Sequence, residues 1–161
     1  MNDGKSIINK YRSMSDSEKI EYLRRFNSSL DLMLANFLVD IVKDKSEDEL
    51  LRIEAVKILG LYRGEYNDEL IKKELLKLIV DEDDDEELKV YIINAFSLMS
   101  ISQSDMDFFL SVIRGEYYIL VKEAAFSLLV YHKNSTPAHN ALNELLNDEA
   151  FGKSAKRELN L

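Results

Sequence analysis

The apolar positions of this chain recur at the three- and four-residue steps of helices, and no stretch of any length alternates as a strand would. A short helix is expected from Lys5 to Arg12. Ser15-Asp16-Ser17-Glu18 reads as a capping box that opens a second helix through Ile20, Leu23 and Phe26, which Asn27-Ser28-Ser29 breaks. Leu30 to Val42 is apolar nearly all round, the mark of a helix buried between neighbours. Ser46-Glu47-Asp48-Glu49 reads as another capping box, ahead of a helix from Asp48 to Tyr62 that stops near Gly64. Asn67 or Asp68 caps a helix over Glu69–Val80, and Glu86–Met99 is the next. Ser104-Asp105-Met106-Asp107 opens a helix through Phe108, Phe109, Val112 and Ile113 that ends at Gly115. Tyr117–Tyr131 follows. Ala138–Leu146 comes after the turn Asn134–Pro137, with Pro137 at the first helical position, and Gly152–Leu159 is last.

The second helices of successive pairs look like copies of one another. Leu51-Arg52-Ile53-Glu54-Ala55-Val56-Lys57-Ile58-Leu59-Gly60 is the clearest. Leu88-Lys89-Val90-Tyr91-Ile92-Ile93-Asn94-Ala95 and Val121-Lys122-Glu123-Ala124-Ala125-Phe126-Ser127-Leu128 follow, and Phe151 to Leu159 is a degraded fourth. The opening apolar residues, at 51, 88, 121 and 151, stand 37, 33 and 30 positions apart, in the range of helical repeat arrays. The preceding helices end alike, on Ile41-Val42-Lys43-Asp44, Ile79-Val80-Asp81, Val112-Ile113-Arg114-Gly115 and Leu145-Leu146-Asn147-Asp148. In this pattern the chain resembles the HEAT-repeat family over about residues 30–161. Gly115 stands where that family usually has Asp, and Ile92 where it has Ala. The resemblance implies an all-α fold, a short right-handed α-solenoid of about four helix pairs, with residues 1–29 as N-terminal capping helices and the second helices lining an inner face. It also implies a protein that holds other macromolecules.

Composition narrows the class. One proline and five glycines in 161 residues are too few turn formers for a sandwich or barrel. The length fits a single domain, and no linker is long enough to divide it. With no cysteine, disulfides and thiolate metal sites are excluded. Neither a signal peptide nor a membrane-length apolar run is present, so a cytoplasmic chain is expected. A net charge of −9 argues against nucleic acid and anionic membrane as partners and favours a basic protein. A monomer is expected.

The most pointed chemistry is an acid block of seven: Asp81, Glu82, Asp83, Asp84, Asp85, Glu86 and Glu87. Asp84 or Asp85 would cap the following helix, and Glu86 and Glu87 suit its first turn. Charge runs usually face solvent, so the block reads as a solvated turn; capping needs only two or three acids, so the rest exceed the structural need and allow a second reading, a clamp for a basic protein. Asp81, Asp83 and Asp85 alternate as in an EF-hand loop, but Glu86 stands at the glycine position and Ile92 at the closing glutamate, so no metal is expected. Helical phase adds Glu54, Lys57, Tyr91, Asn94, Glu123 and Ser127 as the outward positions of the second helices. The tyrosines Tyr62, Tyr66, Tyr91, Tyr117, Tyr118 and Tyr131 lie on or beside those helices; most are expected to pack their rings, and Tyr91 to suit an interface equally well. His132 and His139 have no third ligand at suitable spacing, and His132 suits a helix end. No phosphate loop, nucleophile elbow or carboxylate pair stands out, so neither catalytic residues nor a cofactor are expected.

These readings lead to a non-enzymatic protein-binding module as the expected function. The most specific form is a small acidic immunity or antitoxin protein that neutralises a basic toxin such as a nuclease. A scaffold or adaptor within a larger assembly is the alternative, and a ligand-binding or lyase-type HEAT protein is more remote.

Overall fold

The computed structural model describes residues 4–62 and 66–161. Among these residues the chain is all-helical, with ten α-helices, one 3-10 turn and no strand. No helix is long and apolar enough to cross a membrane among the described residues. The chain divides into two compact units, Met1–Ala95 and Phe96–Leu161.

The first unit holds α1 (Gly4–Arg12), α2 (Asp16–Arg24), α3 (Leu32–Lys43), α4 (Glu49–Leu61), α5 (Glu69–Val80) and α6 (Glu86–Ala95). Its packing follows a stacking rule. First helices lie on first helices, α1 on α3 and α3 on α5; second helices lie on second helices, α2 on α4 and α4 on α6. α4 is thereby enclosed by α2, α3 and α6, and nearly all of it from Leu51 to Gly60 is buried. Ala55 is fully covered. At Gly60 an added Cβ would lie 2.9 Å from Ala95 Cα, so the two helices meet backbone to backbone there.

The second unit opens with the 3-10 turn Phe96–Leu98, followed by α7 (Gln103–Arg114), α8 (Ile119–Tyr131), α9 (Thr136–Glu144) and α10 (Gly152–Glu158). α7 packs on α8 and α9, and α9 also packs on α8 and α10. Phe96 is fully buried edge-on against Phe109, with ring centroids 5.3 Å apart. Val121, Ala125 and Leu129 of α8 and Ala138 and Leu142 of α9 complete the centre of this core.

Several boundaries differ from expectation, each for a local reason. The Ser15–Glu18 capping box forms as read. Ser46 does not cap α4: its hydroxyl and N–H both donate to Asp44 Oδ1, and Asp48 accepts from Leu50 N–H instead. The capping box of α7 is Ser102 with Asp105 rather than Ser104, because Asp105 is the acid whose carboxylate is buried and receives the Ser102 N–H at 3.0 Å. α6 stops at Ala95, where the chain tightens into the 3-10 turn instead of running to Met99. Ser135 caps α9, placing Pro137 second rather than first in the helix. Gly64, expected to end α4, lies outside the described residues; α4 ends at Leu61.

Candidate functional site

The acid block is not uniform. It forms the turn between α5 and α6, beside the turn between α3 and α4. Asp81 leaves α5 and makes an ion pair with Lys45 of the other turn at 2.6 Å. Its carboxylate also accepts the Asp83 N–H at 3.0 Å, and Lys45 holds its pKa below the usual carboxylate value. Asp85 accepts the Leu88 N–H at 3.1 Å and so caps α6. Glu86 reaches Lys89, whose ammonium is buried, at 3.5 Å.

Of the two acids expected to cap α6, Asp85 takes that place, and Asp84 turns inward to an ion pair the sequence did not suggest. Asp84 is 7% exposed and forms a two-pronged pair with Arg52 of α4, both N–H···O distances being 2.9 Å. The remaining Arg52 Nε donates to the Val42 carbonyl at 2.8 Å, so one guanidinium ties the end of α3, the body of α4 and the turn before α6. Burial alone pushes the Asp84 carboxyl up; the Arg52 guanidinium and the Asp85 N–H outweigh it and hold the group below its usual range. Arg52 stands in the repeat read from the sequence, at the position Lys89 and Lys122 take in the later copies, but nothing there singles it out. Sequence reasoning lacked the turn geometry that selects one acid of seven.

What remains of the block is Glu82, Asp83 and Glu87, with Asp85, all exposed. Glu49, from the first turn of α4, joins them. Carboxylate oxygens of Glu49, Asp85 and Glu87 lie within 4.8 Å of one another, and all three side chains are exposed. A hydrogen bond shared with Asp85, then partial loss of water, then the nearby charges of Asp85 and Glu87, raise the Glu49 pKa above its usual value. Three carboxylates at this spacing could also ligate a divalent cation, but exposed acids commonly cluster without one, and among the described residues no further group points to an ion. Sequence reasoning missed Glu49, which it treated as part of a cap.

Compared with protein-family models, curated proteins and solved structures, the chain finds no match in any of the three. The site therefore stands on its own geometry.

The remaining outward positions divide. Glu54 is a correction: α2 covers it, its carboxylate meets Arg24 at 3.4 Å and Lys57 at 3.3 Å, and it is buried. Tyr91 is half-buried with the Lys57 ammonium 5.4 Å above its ring, while Asn94 is exposed. Glu123 and Ser127 are exposed on α8, in the second unit. Among the tyrosines, Tyr62 packs edge-on against Phe26 with centroids 5.2 Å apart, and Tyr66 is half-buried, which raises its pKa. Tyr117 is also half-buried, whereas Tyr118 and Tyr131 are exposed. His132 takes the C-terminal cap of α8 through its backbone N–H.

Proposed function

We propose that this chain is a non-enzymatic protein-binding module of the HEAT type, a short right-handed α-solenoid of about four helix pairs capped by α1 and α2. It holds a basic protein against the corner where the turns α3–α4 and α5–α6 meet. The observation that carries this reading is the trio Glu49, Asp85 and Glu87. Three exposed carboxylates within 4.8 Å repel one another and oppose folding, and a cationic side chain seated among them would relieve that repulsion. Asp84 and Asp81 serve the fold; Glu82 and Asp83 extend the free charge beyond the trio. The stacking of first helices on first and second on second within the first unit supports the solenoid. The most specific reading is an immunity or antitoxin protein in the cytoplasm, acting as a monomer, whose carboxylates occupy the phosphate-binding surface of a basic nuclease-type toxin.

The test is a pull-down from the source cell at low and high salt, with the wild-type chain and the variant E49Q/D83N/D85N/E87Q. A single basic partner, released by salt and lost in the variant, is the expected result, because charge-led interfaces weaken as salt rises. Partners retained equally by both proteins and indifferent to salt would remove the acidic corner from the mechanism. That outcome would instead favour an adaptor, a reading supported by the apolar side chains exposed on α8.

A further inference from the structure

A second surface, chemically unlike the acidic corner, lies on α8. Large apolar side chains exposed singly are ordinary, but here three stand in a row: Tyr118, Ile119 and Leu120 are 54%, 47% and 50% exposed. Tyr131, 61% exposed, is the fourth. At 100° per residue Ile119, Leu120, Glu123, Ser127 and Tyr131 fall on one arc of the helix, opposite the buried Val121, Ala125 and Leu128. The arc is an uncovered stripe about 18 Å long from Ile119 to Tyr131. Glu123 lies at its middle and Glu116 just before its start. Both are exposed, and neither joins an ion pair among the described residues. Lys122 is the sole cation of α8 and sits on the flank, half-buried.

We propose that this arc of α8 docks an amphipathic basic helix of a partner protein, whose apolar side chains cover Ile119, Leu120 and Tyr131 and whose Lys or Arg faces Glu116 and Glu123. Charge complementarity argues for the occupant. The uncovered arc carries acid and no cation, and the second unit has eight acidic and six basic side chains, so an acidic segment or an anionic lipid surface is disfavoured. The geometry argues for a helix. No strand edge offers backbone pairing among the described residues, so recognition falls to side chains, and residues three and four apart on a partner helix match a stripe of this length. This proposal rests on none of Glu49, Asp85 and Glu87, and either reading can fail without the other.

The experiment titrates the full isotope-labelled chain with a synthetic Lys/Leu amphipathic peptide and its Glu/Leu counterpart, following backbone amides by NMR. The Lys/Leu peptide should shift the amides of residues 116–131, and the Glu/Leu peptide should leave them unmoved. L120S should weaken the interaction about tenfold, the loss of one well-buried anchor. E123K should weaken Lys/Leu binding and admit the Glu/Leu peptide. Both positions are exposed, and circular dichroism would verify that each variant folds. Shifts confined to residues 81–87 would overturn the proposal while leaving the acidic corner standing. Equal affinity for wild type and L120S would overturn it too. Self-association abolished by L120S would assign the arc to a second copy of the chain, and capture by anionic vesicles would assign it to a membrane; either result rejects the basic helix.

Discussion

Asp84 sits in a row of seven acids, yet its carboxylate faces inward while Asp83 beside it faces water. Nothing in the composition of the block separates the two. The choice is made by the turn, in which the Asp84 N–H bonds back to the Asp81 carbonyl at 3.2 Å and Arg52 waits on α4. Identical side chains in one turn carry different tasks according to backbone direction, which is why the charge of this site was legible in the sequence and its wiring was not. Replacing Asp84 by Asn leaves the buried Arg52 charge uncompensated, and D84N should destabilise the chain by ~3–5 kcal/mol in denaturant unfolding. D83N should be nearly neutral. Because the folded state lowers the Asp84 pKa, the pair's contribution is complete above the ordinary value of 3.8 and is lost as pH falls through the folded value. The gap between wild type and D84N should therefore hold at neutral pH and close only in acid below that value. A gap that closed near neutrality would mean another group was titrating.

At the scale of elements, helices were legible because breakers are few and apolar spacing is regular. Their ends were less so. Ser102 and Ser104 both precede an acid at the capping-box spacing, and only the burial of Asp105 decides between them. Ser46 also fits the spacing, but an aspartate two residues before it and another two after it compete for the same local hydrogen bonds. α4 and α6 approach closely where Gly60 faces Ala95. An exposed helical Gly→Ala change ordinarily gains about 1 kcal/mol. Here the added Cβ would lie 2.9 Å from Ala95 Cα and 3.0 Å from its Cβ, so the sign reverses. G60A should cost ~1–3 kcal/mol, the usual penalty for overpacking, and lower the thermal midpoint. A midpoint unchanged or raised would show that the two helices part without strain.

For the molecule as a whole, charge is unevenly shared. The first unit has 22 acidic and 15 basic side chains and the second has eight and six, so most of the excess acid belongs to Met1–Ala95. The expectation of an undivided run from Glu86 to Met99 gave no hint of a boundary there. Asn94-Ala95-Phe96-Ser97 contains no breaker, and the division arises because Ala95 is committed to Gly60 while Phe96 is committed to Phe109. Self-repulsion of the acidic corner should make the folded chain gain stability from added salt. E49Q/D83N/D85N/E87Q removes four of the nine net charges and should be more stable than wild type at low salt, with a smaller salt response of the thermal midpoint. An equal salt response in both proteins would place the repulsion elsewhere.

The Arg52–Asp84 pair has one more implication, for the order in which the chain acquires its structure. Its members stand 32 positions apart, and Arg52 also holds the carbonyl of Val42. The contact cannot form until α3, α4 and the turn after α5 are brought together, so it is expected to form late in folding, and D84N should speed unfolding more than it slows refolding. Interactions formed that late slow escape from the native state rather than speed arrival at it. One buried ion pair would thus act as a latch on the first unit, its strength read in the rate at which the acidic corner comes apart.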